Sequence, residues 1–499
     1  MRAIVKQQKT LRFNFIMNII LNASTILFPL ITTPYLSRVL LVENNGHVAF
    51  AISVVNYFIL FASLGIPTYG IRVCAQVRDD KEALSKTAQE LLLINTGMTL
   101  VCTLVYVASI FLVPTFRQET ALMLITGGLL LLNAFGMNWL FSALEMYQYI
   151  TVRSLLFRLI ALVLMFILVQ KPSDYLVYAV IYVIYTGGPN LLNLVYSRKL
   201  ISYQRFSSYD FKRHFKPILT FFAAAAAISV YTNLDVLMLG FIKDATEVAY
   251  YNVALKVRQA IATMATSLNA ILLPRLSYYA EHQNQSGMID LWKKAIHFTF
   301  MVAFPTTLLF ILCADPVIML LAGPQYQGAV LPLQILMGTV VFASLSGITG
   351  TQMMLPLGKE KKMFYSILAG ASLNFVMNSI LIPLHGSIGA AIATLCAEFF
   401  VLLVQCLYQK DLLPRVVEYL ELGKEALAAV AAAMMVLFLQ RFLTLSLIAL
   451  LVISGVIFYL AYGLFILILK DTLAFEFLKT AKGIFLKFSN RFKQNKIDG

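Results

Sequence analysis

The stretch LTLSLIALLVISGVIFYLAYGLFILIL (residues 443–469) has no charged residue between Arg441 and Lys470. A helix of this length, rising about 1.5 Å per residue, outreaches the ~30 Å hydrocarbon core of a bilayer. It is apolar on every face, so it reads as a transmembrane span, 444–469. The Ala/Met/Val run before it, 424–441, reads the same way. Comparable runs recur upstream at 13–39, 47–70, 88–113, 120–143, 148–170, 174–197, 216–241, 248–273, 293–314, 327–355, 363–384 and 387–409, giving fourteen spans. The run at 327–355 is repeatedly interrupted by Gly and Ser. Composition agrees: 60% of the 499 residues are hydrophobic and 13% are charged, against roughly 25% charged in a soluble domain. The expected fold is an all-α membrane protein. The longest polar stretches, 72–90, 198–216 and 470–499, leave no room for a sizeable soluble domain.

A net charge of +15 raises the question of nucleic acid, which the distribution of charge answers. If the N-terminus is cytoplasmic, the outer loops hold only Arg38, Arg117, Lys171, Lys243 and Arg441, and the spans hold only Arg158, Lys256 and Arg258. Every other Lys and Arg falls on the inner side. This is the positive-inside pattern, and it predicts cytoplasmic N- and C-termini with no nucleic-acid partner. The basic residues before the first span, Arg2, Lys6, Lys9 and Arg12, are not expected to belong to a cleaved signal peptide, because the span is too long and no small-residue cleavage site follows. Lys479–Lys496 mixes Lys and Arg with Phe and Ile, which suits either an anionic membrane surface or a solvated tail. The five cysteines have no paired spacing, so neither a disulfide framework nor a metal site is expected.

The basic stretch at 198–216 follows an even number of spans, so the next set starts again from the same side. That predicts six spans in 1–205, six in 206–411, and a terminal pair with its basic tail in 412–499. Two halves entering alike are parallel repeats. Val48-Ala49-Phe50 and Val248-Ala249-Tyr250 fall at equivalent places in them.

The first span repeats a polar residue every three to four positions: Asn14, Asn18, Asn22, Thr25, Pro29, Thr33 and Ser37. That spacing places them on one helix face. Amides facing lipid would each cost several kcal/mol, so the stripe calls for a cavity or a partner helix. Asn252, Lys256, Gln259, Thr263, Thr266 and Asn269 repeat the pattern in the eighth span. Interhelical hydrogen bonding accounts for one such stripe. Two stripes at matching places favour a shared watery cleft.

Several short patterns recur in order: Pro34-Tyr35-Leu36-Ser37-Arg38-Val39-Leu40, Asn56-Tyr57-Phe58, Leu64-Gly65-Ile66 and Tyr69-Gly70-Ile71-Arg72. Trp139, Glu145, Ile150-Thr151-Val152-Arg153, Asp174-Tyr175 and Tyr178 continue the series. Asp235, Leu239-Gly240, Leu273-Pro274-Arg275-Leu276, Asn374, Asn378, Pro383, Gly386 and Gly389-Ala390-Ala391 complete it. With these the chain resembles the Wzx-type polysaccharide-repeat (O-antigen or capsule) flippases of the MOP (multidrug/oligosaccharidyl-lipid/polysaccharide) superfamily. Two places depart from the family's pattern. Leu41-Val42-Glu43-Asn44-Asn45-Gly46 replaces an acidic-glycine turn, and Ser142-Ala143 replaces Gln-Gly. The resemblance implies two pseudo-symmetric six-helix bundles around a central cavity, with a terminal helix pair. It also implies a substrate, an oligosaccharide repeat on undecaprenyl diphosphate, moved to the outer leaflet of a bacterial plasma membrane by alternating access. Membrane lipids and other polysaccharide assembly proteins are the further partners expected.

A diphosphate needs cations, and Arg offers the bidentate fork that suits it. Arg38, Arg72, Arg153, Arg158, Lys256 and Arg275 are the basic candidates, with Asn18, Asn22 and Gln259 from the polar stripes. Lys256 and Arg258 stand about 200° apart on a helix, so the stripe selects Lys256. The four Arg near span ends (38, 72, 153 and 275) equally suit snorkelling to the interface. Asp235 and Glu398 are the deepest carboxylates, suited to a coupling H+ or Na+ or to pairing with a buried cation, and pairing is favoured. His297 reads as a hydrogen-bonded core histidine rather than a proton relay. No cofactor, metal or catalytic residue is expected. Short outer loops and the absence of P-loop, HExxH or nucleophile–base patterns disfavour a polysaccharide polymerase or another enzyme. A multidrug antiporter would want an acidic interior where this one is basic. A lipid II flippase shares the carrier lipid and stays open as the alternative.

Overall fold

The computed structural model describes residues 11–266, 269–418, 420–442, 446–472 and 474–475. The basic residues Arg2, Lys6 and Lys9 and the tail from Lys479 to Lys496 lie outside the described residues. All regular elements among the described residues are helical. The principal helices are α1 (Leu11–Val39), α2 (Leu41–Ser63), α3 (Ile66–Gln76), α4 (Lys81–Leu112), α5 (Thr120–Asn133), α6 (Asn138–Ala143), α7 (Tyr147–Leu168) and α8 (Tyr175–Ser197). They continue as α9 (Lys212–Ile242), α10 (Ala245–Ala265), α11 (Asn269–Glu281), α12 (Gln285–Leu312), α13 (Val330–Gly347), α14 (Glu360–Tyr408), α15 (Leu422–Phe442) and α16 (Leu447–Ile468).

Among the described residues, ten segments are long and apolar enough to cross a membrane, and the bent α9 makes an eleventh. Three local features separate this count from the fourteen spans read from sequence. First, the spans expected at 363–384 and 387–409 form one segment, α14, interrupted at Gly386. Gly386 has φ 56°, and a Cβ there would lie 2.5 Å from Glu247 Oε2. That same oxygen accepts the Ser387 N–H at 2.6 Å, capping the second half of the helix. Second, the span at 120–143 is split: α5 is a shorter apolar helix and the chain breaks before α6. Third, α10 carries the polar stripe and falls short on apolarity.

The span expected at 47–70 needs correction. It begins at Leu41 and breaks at Leu64-Gly65, where Leu64 adopts φ 48°. A Cβ on Gly65 would lie 2.4 Å from the Ile218 carbonyl oxygen, so glycine lets α9 approach the backbone here. The polar stretch at 72–90 is also more helical than its composition implies. Asp80 accepts the N–H groups of Glu82 and Ala83 at 2.9 and 3.1 Å and starts α4 directly after a short turn. The Gly/Ser-interrupted run at 327–355 becomes α13 followed by a π-helical turn, Ile348–Met354. Side chains support that widened turn: Thr349 donates to Gln405 Oε1 at 2.5 Å and Gln409 donates to the Thr349 carbonyl at 2.9 Å.

The chain divides into two compact units: Met1–Val253 with Leu321–Tyr326 and Asn378–Ala390, and Ala254–Leu320 with Gln327–Met377 and Ala391–Gly499. In the first, α5 packs on α8, α8 on α7, α7 on α1, and α2 on α4, α5 and α9. Ile66, Tyr69, Leu91, Trp139, Phe141 and Ile218 fill one core and Leu36, Leu40, Ala161, Met165 and Ile181 another. The basic stretch after α8 docks on α4. Glu90, fully buried, accepts the Asp210 N–H at 2.7 Å, Arg213 Nη2 at 2.5 Å and His214 Nε2 at 2.9 Å. The other ring nitrogen of His214 meets the Tyr69 hydroxyl at 2.9 Å. In the second unit, α12 packs on α13 and α15, and α15 on α16. Its core centres on Trp292, whose indole donates to the Gln352 carbonyl at 3.0 Å.

Candidate functional site

The break between α5 and α6 leaves carbonyl groups without helical partners inside an apolar bundle, which is costly unless other donors reach them. Turn bonds from the Phe135 and Gly136 N–H groups reach Leu132 and Asn133, and side chains from α4, α8 and α6 itself add further donors. Asn95 of α4 donates to the carbonyls of Asn133 and Ala134 at 2.9 and 3.3 Å. Asn190 of α8 donates to Leu132 at 3.2 Å, and the Trp139 indole of α6 donates to Gly136 at 3.1 Å. The side chains of Ser63 and Asn133 bond each other at 3.0 Å. Beside the break lies a cavity of about 310 Å³ lined by Ser63, Asn95, Asn133, Gly136, Trp139 and Asn190 with Ile66, Pro67, Ile71, Asn138 and Ser142. That volume falls within the range of small-ligand pockets.

Arg153 stands behind this lining. It is only 5% exposed, donates Nη2 to Asn138 Oδ1 at 2.9 Å, and bonds Asn193 Oδ1 through Nη1. Asn193, fully buried, donates in turn to Asn138 at 3.0 Å, and the guanidinium lies 5.4 Å from the Tyr149 ring centroid. Among the described residues no carboxylate pairs with Arg153. The site therefore combines amides and hydroxyls, an aromatic ring and an uncompensated cation in the field behind them. Amides recognise sugar hydroxyls, and a positive field in a low-dielectric wall attracts an anion.

The other sequence candidates are dispersed. Arg158, also on α7, bonds Ser24 Oγ and the Leu21 carbonyl of α1. Asn18 and Asn22 share a 3.3 Å hydrogen bond on the exposed side of α1. Arg72 is exposed, and exposed Arg38 donates to the Pro34 carbonyl of its own helix at 2.8 Å. Asp235, 4% exposed, accepts from the Tyr251 hydroxyl and from Asn378 Nδ2, the latter at 2.6 Å. In the second unit Lys256 is half-buried and Gln259 exposed, while Arg258 Nη2 meets Glu398 Oε1 at 2.8 Å and its Nε meets Thr339. Arg275 is exposed and lies over the Tyr279 ring, donating to its hydroxyl at 3.0 Å.

The structure brings Arg153 together with amides that the sequence reading passed over: Asn95, Asn133, Asn138, Asn190 and Asn193. Each is an amide within or beside an apolar span, and that was the available signal. A search for stripes along one helix misses a site drawn from several helices.

Comparison with known proteins agrees in sequence and in fold. The sequence profile described as "Polysaccharide biosynthesis protein" matches residues 11–280. An Escherichia coli K12 relative named "Putative O-antigen transporter" is 27% identical over 405 residues, covering 81% of this chain and 97% of the relative. A Shigella dysenteriae relative of the same name is 25% identical, covering 78% and 98%. Among solved structures, the lipid II flippase MurJ in an inward closed conformation superposes with a TM-score of 0.70 at 14% identity, covering 90% of this chain and 98% of that one. An inward-facing multidrug resistance MATE family transporter of the MOP superfamily gives 0.57, also at 14% identity, with 79% and 96% covered. At that identity the two structures speak for the fold alone. With a match across more than half its length, the chain belongs to the polysaccharide biosynthesis protein family.

Proposed function

We propose that the chain is a flippase that turns an undecaprenyl-diphosphate-linked oligosaccharide repeat unit from the cytoplasmic to the outer leaflet, without covalent chemistry. The observation that carries this reading is the amide-lined cavity backed by Arg153, which offers hydrogen-bonding groups to a sugar and a cationic field to a diphosphate. The O-antigen transporter relatives support the substrate class, and the charge bias of the loops supports a bacterial plasma-membrane location with both termini cytoplasmic. Arg38, Arg72, Arg158, Lys256 and Arg275 remain candidates for guiding the headgroup, and Asn18, Asn22 and Gln259, which are exposed, remain candidates for the sugar.

Deleting the protein is expected to abolish surface polysaccharide and leave lipid-linked repeats on the cytoplasmic side. Complementation with Arg153→Gln or Asn138→Leu is expected to restore less than a tenth of the polymer at equal protein level. Full export by both variants would remove the cavity from the mechanism. A cell-wall precursor defect with normal surface polymer would instead make the substrate lipid II.

The membrane potential supplies a direction. In a cell negative inside, outward movement of an anion is favoured by about 2.3 kcal/mol per charge per 100 mV. Collapsing the potential is therefore expected to slow flipping several-fold in reconstituted vesicles. Undiminished flipping with no potential and no H+ or Na+ gradient would sink this coupling. Asp235 and Glu398 are the carboxylates to substitute if an ion gradient alone sustains it.

A further inference from the structure

One cluster, in the second unit, shares no residue with the amide cavity and has no place in the proposed transport step. His297 of α12 meets two carboxylates through a single nitrogen: Nε2 lies 3.0 Å from Asp471 Oδ2 and 2.9 Å from Glu425 Oε1. Glu425 sits in the first turn of α15 and Asp471 just beyond the end of α16. Glu425 and Asp471 are fully buried, and His297 is 5% exposed. One N–H cannot serve both acids. It is aligned on Asp471, and both oxygens of Glu425 are left without a hydrogen-bond donor among the described residues. A buried carboxylate with no donor is a costly arrangement, and it is the feature here that asks for a ligand.

From this we infer that His297, Glu425 and Asp471 bind a first-row divalent cation, Zn2+ or Mn2+. Their ligand atoms all lie within 4.8 Å of one another. The two N–O separations approach the ~3.0–3.4 Å that separates neighbouring ligands on one cation held at about 2.0–2.2 Å. One imidazole with two carboxylates suits a borderline metal and suits neither the softest nor the hardest ions. Charge agrees with that choice. An imidazolium between two carboxylates leaves the three side chains with one net negative charge, whereas a dication over a neutral imidazole leaves none. The surroundings hold two of the three ligand-bearing segments together: Glu421 takes the Thr472 N–H at 3.0 Å and Lys424 at 2.6 Å, and Asp471 Oδ1 takes the Ala474 N–H at 2.9 Å. The cation thus fastens the α15–α16 pair to α12.

The test uses full-length protein in detergent, stripped with chelator, exposed separately to Zn2+ and Mn2+ alone, desalted and assayed for metal by mass spectrometry. Wild type should retain about one equivalent of one of them and melt several degrees higher with it. Glu425→Gln and Asp471→Asn should bind at least tenfold more weakly and show no melting shift, while His282→Gln, at an exposed histidine, should match wild type. If a variant does not fold, the wild-type stoichiometry and a visible Co2+ absorption spectrum still decide the matter. Failure of wild type to retain either metal, or equal affinity in Glu425→Gln, would overturn the site. Neither outcome bears on whether the chain moves lipid-linked sugars.

Discussion

Glu90→Ala should destabilise the protein by about 2–4 kcal/mol, because it removes a buried charged acceptor and hydrogen bonds to such a group are worth about 1.5–3 kcal/mol each before relaxation. Glu90 is the common acceptor for a backbone N–H, a guanidinium and a fully buried imidazole. Alanine removes all three bonds, leaves a cavity and takes from His214 its carboxylate partner, so the imidazole keeps only Tyr69 and Arg213 as polar neighbours. The loss also releases the stretch before α9 from α4, where the neighbouring Gln89 holds the Ser202 and Gln204 carbonyls at 2.6 and 3.2 Å. Glu90→Gln should lose less, because an amide oxygen still accepts from Asp210. Thermal or denaturant unfolding of purified protein measures the effect. A change under about 1 kcal/mol for Glu90→Ala would mean that the network does not hold this junction.

Gly46→Ala should be comparably damaging although it adds a single methyl group. The new Cβ would stand 1.7 Å from the Ala245 carbonyl oxygen and 2.5 Å from its carbon. Both obstructing atoms are backbone, so no rotamer change relieves the overlap and α2 must move away from residue 245. Overpacking that forces side chains off their rotamers and shifts the backbone costs about 1–3 kcal/mol, and with no side chain to yield this site should reach or exceed the top of that range. Gly97→Ala is the matched control: its Cβ would meet nothing within 4 Å, so better helix propensity should make it neutral or stabilising by up to ~1 kcal/mol. Equal melting temperatures for Gly46→Ala and wild type would refute the close approach.

The difference between these two glycines bears on what a single sequence reveals. Both sit inside helices and look alike in composition; only packing separates them. Spans were legible because length and apolarity are local properties, as 443–469 demonstrates. Their interruptions were less so. The break at Leu64-Gly65 depends on the approach of Ile218, and the π-turn at 348–354 depends on Gln405 and Gln409, all distant in sequence. The site was legible by residue type and not by grouping. Arg153 stood out as a cation near a span end. The amides that position it come from α6 and α8, and no spacing rule joins 138, 153 and 193. His297 likewise read as a core histidine because Glu425 and Asp471 lie more than a hundred residues away.

The discontinuity between α5 and α6 also divides labour among the residues around it. Asn95, Asn190 and Trp139 are committed to main-chain carbonyls, so exchanging any of them disturbs the path of the chain. Ile71, Pro67 and Ser142 line the same space and make no such bond there. Under the proposed function, a lineage under pressure to handle a different glycan would vary these three while the committed residues keep the cavity open. Scaffold and lining then reside on separate positions, and one can drift without the other.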